Sequence, residues 1–146
     1  MIEIKKYNDV FLTKDEFFSL MQEVNLCFTP PLSDSVDLGA YSEKLYNHAS
    51  FVVAEDNGEI IGLTAYYRNS KANQLYVPLI CVNPLSQSHG IGSQMLHSLE
   101  EISIEGFYSI GLEVKKTNNA AYRFYKKYGF IEKEDRGEKI LMEKDL

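Results

Sequence analysis

The chain has 146 residues, 45% of them apolar and 25% charged, a composition that supports a hydrophobic core and excludes wholesale disorder. Fifteen basic side chains against twenty-one acidic ones leave a net charge of −6, which argues against a nucleic-acid partner, because such proteins usually carry a basic footprint. No run approaches the roughly 20 apolar residues of a membrane span, and Met1-Ile2-Glu3-Ile4-Lys5-Lys6 lacks the regions of a signal peptide, so the expected location is the cytoplasm.

Neither an internal repeat nor an interdomain linker interrupts the chain, so one domain over residues 1–146 is expected. Residues 2–7 alternate apolar with polar and read as a first strand. Thr13, with Glu16 three residues on, forms a capping-box pattern. The helix it opens places Phe17, Leu20, Met21 and Val24 on one face, and Thr29-Pro30-Pro31 stops it. Asp37 can cap a second helix carrying Leu38, Tyr41, Leu45 and His48. Strands at residues 51–55 and 60–67 flank Asp56-Asn57-Gly58, a hairpin signal. A third apolar run at 75–82 contains Pro78, which cannot donate a ladder hydrogen bond and predicts a bulge or an unpaired stretch.

A polar, glycine-containing loop at 86–92 leads into a helix with Ile91, Met95, Leu99 and Ile102 at helical spacing, ending near Gly106. Residues 107–114 read as a strand. Thr117-Asn118-Asn119 starts a helix with Ala121, Phe124, Tyr125 and Tyr128 on a shared side, and Gly129 suits its C-terminal cap. Residues 130–134 and 139–143 close the chain as short strands. The order β-α-α-β-β-β-α-β-α-β-β combines a hairpin section with one βαβ-like crossover, so a mixed sheet is expected.

Cys27 and Cys81 lie far apart and form no CxxC, so two reduced thiols are expected rather than a disulfide or a metal pair. His48, His89 and His97 lack ligand spacing, and no metal is expected.

Gln87-Ser88-His89-Gly90-Ile91-Gly92-Ser93 carries the most information. A strand enters it and a helix leaves it. The first N–H groups of a helix lack internal partners and sit at the positive end of its dipole. Glycines at 90 and 92 let a bound group approach the backbone, which makes the loop an anion site suited to phosphate or pyrophosphate. The Walker pattern fails, because Gly92 is followed by Ser93 and no lysine. The dinucleotide fingerprint lacks its third glycine, since that position is Met95, although an acidic residue, Glu113, does follow at about the expected distance of ≈ 20 residues. A tight strand-to-helix turn without a ligand is the other reading.

Gln87-x-x-Gly90-x-Gly92 resembles the Q/R-x-x-G-x-G/A signature of the GNAT superfamily of acyl-coenzyme A transferases. Asn118-x-x-Ala121-x-x-Phe124-Tyr125-x-x-x-Gly129-Phe130 resembles the helix that follows in the same family, and the element order agrees across nearly the whole chain. The resemblance implies a single α/β domain of the GNAT fold, with a mixed, mostly antiparallel sheet and splayed central strands. It implies acetyl-CoA as cosubstrate, its pyrophosphate on the backbone of Gln87, Ser88, His89, Gly90, Ile91, Gly92 and Ser93. Pantetheine would run beside the strand ending at Val82, amides near Ile80, Cys81 and Val82 would polarise the thioester carbonyl, and Asn118 would hold the pantetheine arm or cap its helix. Tyr125 matches the tyrosine that protonates the leaving thiolate. A phenol pKa of about 10 exceeds that of a typical thiol, about 8.5. As an alternative, Tyr125 is a core aromatic. Leu112-Glu113-Val114 is similar to ribosomal-protein alanine acetyltransferases, in which this glutamate helps deprotonate the amine; the alternatives are a solvated strand position for Glu113 and Glu55 as the base.

By strand alternation Glu113 points away from Ile110, Leu112 and Val114, and Gly111 is expected to leave cleft space beside it. The expected reaction is direct acetyl transfer, in a ternary complex, to a primary amine. Phe28, Tyr41, Tyr66 and Tyr67 offer aromatic and hydroxyl surface suited to a sugar ring, and residues 28–49 resemble acetyltransferases associated with surface-polysaccharide biosynthesis, which implies an amino-sugar acceptor. A protein N-terminus or a polyamine is the alternative acceptor, and a non-catalytic CoA-binding module the alternative of another class. A small-molecule amine is the expected partner, with no nucleic acid or membrane, for a monomer or homodimer.

Overall fold

The computed structural model describes residues 1–7, 11–28, 30–87, 89–102 and 106–146. In chain order the elements are β1 (Ile2–Tyr7), α1 (Lys14–Leu26), α2 (Leu38–His48), β2 (Ser50–Asp56), β3 (Glu59–Asn69), β4 (Gln74–Val82), α3 (Ile91–Ile102), β5 (Ser109–Lys115), α4 (Asn119–Tyr128), β6 (Ile131–Asp135) and β7 (Lys139–Asp145). This is the expected α/β order, with 3-10 turns added at Leu32–Asp34 and Pro84–Ser86. The seven strands form a sheet in the order β1-β2-β3-β4-β5-β7-β6. β4 and β5 run parallel, whereas β1/β2, β5/β7 and β6/β7 are antiparallel. A parallel pair needs a long crossover, and α3 lies within it. Two compact units divide the chain, one of Met1–Ala65 with Leu79–Met95 and one of Tyr66–Pro78 with Leu96–Leu146.

In the first unit, Thr13 and Glu16 close the start of α1 reciprocally. The Glu16 N–H donates to Thr13 Oγ1 at 3.2 Å and the Thr13 N–H to Glu16 Oε1 at 2.9 Å. Phe17, Met21 and Val24 are buried, and the Phe17 ring packs on Phe51 with centroids 5.4 Å apart. Helix α1 ends at Leu26; Thr29, part of the expected stop, lies outside the described residues. Asp37 caps α2 by accepting from the Ala40 N–H at 3.0 Å. The buried side of α2 carries Ser42 and Leu45, whereas His48 is exposed. The helix stops there, and the buried position at its end is taken by Ala49. In the β2–β3 turn both Asn57 and Gly58 adopt left-handed φ, at 53° and 84°. This is the mirror-image turn that matches the twist of a hairpin. Gly62 has a packing reason instead. A Cβ there would lie 3.2 Å from each of Ala54, Ile91 and Met95, so its absence lets the start of α3 settle on the sheet.

In the second unit, β4 and β5 pair from Gln74↔Ser109 to Val77↔Leu112. The register stops one residue before Pro78, which has no N–H to continue it. Beyond that point β5 continues its pairing with β7, from Glu113↔Leu141 to Lys115↔Lys139. β5 begins at Ser109, two residues later than expected. Gly106, at φ 110°, turns the chain first, and the Tyr108 N–H donates to the Asn73 carbonyl at 2.8 Å before the strand opens. Ile110, Leu112 and Val114 are buried on one face. Helix α4 ends at Gly129, whose φ of 113° is left-handed, and the Phe130 N–H closes onto the Tyr125 carbonyl at 2.9 Å.

Candidate active site

The loop after β4 is built by short polar bonds within the first unit. The Asn83 N–H donates to the Ile61 carbonyl at 2.8 Å, and Asn83 Oδ1 accepts from the Leu85 N–H at 2.9 Å. Gln87 Nε2 donates back to the Val82 carbonyl at 3.2 Å, and His89 Nδ1 lies 3.1 Å from the Ser86 carbonyl. Gly90 then takes a left-handed φ of 71° with open space where a Cβ would stand. The Gln94 N–H donates to the Gly90 carbonyl at 3.0 Å, so the amides of Ile91, Gly92 and Ser93 precede the first bond of the helix. Three successive N–H donors at the positive end of α3 form a cradle for an anion and require no basic side chain. Ser88, expected in this cradle, lies outside the described residues.

Ile80, Cys81 and Val82 are half-buried at the end of β4. Cys81 and Cys27, distant in sequence, line one cavity of about 40 Å³ together with Leu20, Val24 and Leu63. Both thiols are free. Burial pushes the Cys81 thiol up to about 12 and raises that of Cys27 too, so neither forms a ready thiolate nucleophile.

Within the second unit, Glu113 shares a face with Leu141, its register partner on β7. The Tyr76 hydroxyl donates to Glu113 Oε1 at 3.3 Å and Arg136 Nη1 donates to Oε2 at 3.3 Å. Burial first, and then the Glu113 carboxylate, push the Tyr76 phenol up to about 12. The hydrogen bond to Glu113 raises the Arg136 guanidinium further above its ordinary value. The cleft space expected beside Gly111 is filled. A Cβ there would lie 2.6 Å from Gln74 Oε1, and Gln74 Nε2 donates to Ser109 Oγ at 3.1 Å and to Glu143 Oε2 at 3.0 Å. Gly111 therefore makes room for Gln74 and not for a ligand. Sequence reasoning missed Gln74, Tyr76 and Arg136. The parallel register that sets Tyr76 beside Gly111 was the missing signal.

Tyr125 is buried on α4, its ring 5.3 Å from that of Phe124 and 5.5 Å from that of Phe130. Burial drives its phenol well above the ordinary value. Asn118 Oδ1 caps α4 by accepting from the Ala121 N–H at 3.1 Å, which leaves its Nδ2 group for other partners. In the first unit Glu55 is paired with Lys5 at 2.6 Å, its side chain only 16% exposed, so this rival carboxylate already has a cation.

Phe28 and Tyr41 are half-buried in the first unit, and Tyr67 is half-buried in the second. Tyr66 corrects the expectation. Its ring is fully buried, and a ring without accessible faces offers no platform to a sugar. Among the described residues no cluster of three or more His, Cys, Asp or Glu is placed to hold a metal ion, and no helix is long and apolar enough to cross a membrane.

The sequence profile of the acetyltransferase (GNAT) family matches residues 17–130. The chain belongs to this family, and it is accordingly an acyltransferase. No curated protein sequence matches the chain. Among solved structures, it is similar to the PaiA N-acetyltransferase of Thermoplasma acidophilum in complex with coenzyme A. The TM-score is 0.80 at 21% identity, over 100% of this chain and 99% of that one. It is also similar to a ribosomal-protein alanine N-acetyltransferase of Escherichia coli, with a TM-score of 0.75 at 19% identity over 99% and 94% of the two chains. A GNAT family acetyltransferase of Elizabethkingia anophelis with acetyl-CoA bound aligns with a TM-score of 0.72 at 17% identity, over 99% and 98%.

Proposed function

We propose that the chain transfers the acetyl group of acetyl-CoA to a primary amine by direct attack within a ternary complex. The observation that carries this reading is left-handed Gly90 at the start of α3, where the described residues show no partner for the Ile91, Gly92 and Ser93 amides, in a chain of the GNAT family. These amides, with the backbone of Gln87, Ser88 and His89, bind the pyrophosphate. Amides near Ile80, Cys81 and Val82 polarise the thioester carbonyl. The Asn118 Nδ2 group holds the pantetheine arm while its Oδ1 caps α4.

Glu113 accepts, directly or through one water, the proton that the acceptor ammonium must lose before its nitrogen can attack. The C–N bond forms, the C–S bond breaks, and Tyr125 gives its phenolic proton to the departing thiolate. The second proton lost by the nitrogen restores the phenol, so one proton is released per acetyl group transferred. Burial suits Tyr125 to this role, because it keeps the phenol neutral until the thiolate appears.

The acceptor is an amine that enters as its cation, drawn to the carboxylate of Glu113. Burial of Tyr66 weakens the case for an amino sugar, which leaves Phe28, Tyr41 and Tyr67 as acceptor-facing aromatics. The test is thiol release from acetyl-CoA with four probes: putrescine, a peptide starting with alanine, glucosamine, and aniline as an uncharged arylamine. Acetylation of at least one of the three cations is expected. Release no faster than background hydrolysis with all of them would make the chain a CoA-binding module without catalysis.

A further inference from the structure

Glu113 is not free in the structure. Tyr76 holds one carboxylate oxygen and Arg136 the other. A cation already occupies the place an acceptor ammonium needs. We propose that Arg136 is a specificity-determining residue: its guanidinium holds the cation position at Glu113 in the free enzyme, and an acceptor enters by exchanging its own ammonium for it. The proposal rests on the reading of Glu113 as the carboxylate that receives the acceptor.

The geometry favours exchange over a permanent lock. Arg136 reaches Glu113 through Nη1 alone, at 3.3 Å, the long side of the usual N–H···O range. Its Nη2 and Nε both donate to Glu134 Oε2, at 3.2 and 3.3 Å. Arg136 can therefore release Glu113 and keep Glu134, so the displaced cation is not left unpaired. The side chains of Arg136 and Glu113 are 38% and 26% exposed, and ion pairs so open to water are weak. The turn that carries Arg136 is pinned independently. Asp135 accepts from Lys116 Nζ at 2.7 Å and from the Gly137 N–H at 2.9 Å, and the Arg136 N–H donates to the Lys139 carbonyl at 2.8 Å. The arginine side chain can move while its backbone stays. Tyr76 keeps hold of Oε1 throughout, so the carboxylate does not swing away when the cations change places.

The substrate class follows. An aliphatic amine, protonated at working pH, can displace the guanidinium. An uncharged arylamine or a hydroxyl cannot. Arg136 thus selects for charge before chemistry begins.

Two substitutions should move one parameter in opposite directions. Arg136→Gln removes the competitor and should lower the KM of the fastest amine among putrescine, the alanine peptide and glucosamine by about two- to fivefold, with the KM of acetyl-CoA unchanged. Glu134→Gln removes the resting partner of the arginine, leaves Glu113 as the remaining carboxylate in its grip, and should raise the same KM by a similar factor. Arg136→Lys keeps a cation and should restore most of the wild-type value. A merely structural role would weaken acceptor binding in both variants, so shifts in the same direction, or none, overturn the proposal. Glu113→Gln separates this from the failure of the site. If that variant turns over as fast as wild type, Glu113 does not receive the acceptor and both readings fall. If it is slow while the two KM shifts are absent, only the exchange falls. No acetylation of any of the three cations also ends both.

Discussion

Helices α3 and α4 both follow one of the two parallel strands, and they begin in opposite ways. At α4 the first backbone bond runs from the Tyr122 N–H to the Asn118 carbonyl at 3.1 Å, and the Asn118 side chain also takes the Ala121 N–H. At α3 the equivalent backbone bond runs from Gln94 to Gly90, but Gly90 has no side chain with which to take anything. Replacing a capping asparagine by glycine costs only a few tenths of a kcal/mol, whereas alanine costs about 1 kcal/mol. A glycine cap is therefore an inexpensive way to leave amides open for a phosphate. One connection is closed by its cap, with Tyr125 about two helical turns on; the other is the one proposed to bind the cofactor. Under the proposed function, chemistry falls to α4 and cofactor affinity to α3, and each half can be broken separately.

The largest effect is expected at Tyr125. Tyr125→Phe removes one hydroxyl and little volume from a ring packed between Phe124 and Phe130. General-acid work is typically worth about 10²–10⁴ in rate, so kcat should fall by at least about a hundredfold while the calorimetric affinity for acetyl-CoA stays within a factor of about two. The pH profile adds a sign. Burial raises the phenol above its ordinary pKa of about 10. The proton is present everywhere below that raised value and lost only above it. No descending limb of kcat should therefore come from Tyr125 below about pH 10. A kcat within threefold of wild type under chemistry-limited conditions would pass the proton to water or to Tyr76.

The next effect belongs to α3. Gly92→Val places a branched side chain beside the Ile91 and Ser93 amides, where a phosphate must come close. Affinity for acetyl-CoA should fall at least about tenfold, or about 1.4 kcal/mol, and kcat at saturating cosubstrate should be nearly retained. Isothermal titration on the folded variant checks this. Unchanged affinity would take the pyrophosphate away from this helix start. The two substitutions should thus give mirror-image results, one in rate and one in binding.

Features encoded locally were legible in the sequence. Thr13 with Glu16, Asp37, Asn118 and Gly129 each act within one turn of their own position, and all appear where the spacing placed them. Pro78 was legible for the same reason, as the missing donor at which the β4–β5 register ends. Contacts across strands were not. That Gln74 fills the space over Gly111 depends on a parallel register which no local signal sets, and Arg136 meets Glu113 only because β5, β7 and β6 lie side by side. Tyr66 misled because an aromatic pair on a strand looks alike whichever of its members faces inward; strand alternation puts one of them in the core, and here that is Tyr66. The sequence therefore placed local caps and turns more readily than the contacts made across strands.

Asn118 gives the smallest effect and the finest resolution, because it stands on both sides of the comparison. Its Oδ1 is committed to the Ala121 N–H, a structural role. Its Nδ2 group is the part proposed to hold pantetheine. The two can be separated by choosing substitutions that keep one atom and lose the other. Asn118→Asp keeps a cap acceptor and places negative charge at the positive end of α4, so stability should stay within about 0.5 kcal/mol of wild type. The same change removes the donor, so the KM of acetyl-CoA should rise by a factor of about three to ten, as for the loss of one hydrogen bond of about 1 kcal/mol. Asn118→Ala loses both and should add a loss of about 1 kcal/mol in unfolding free energy. Urea melts and cosubstrate KM values on the two variants read the roles independently. If Asn118→Asp leaves the KM unchanged while Asn118→Ala only destabilises, Asn118 is a helix cap alone, and the start of α4 contributes nothing to binding.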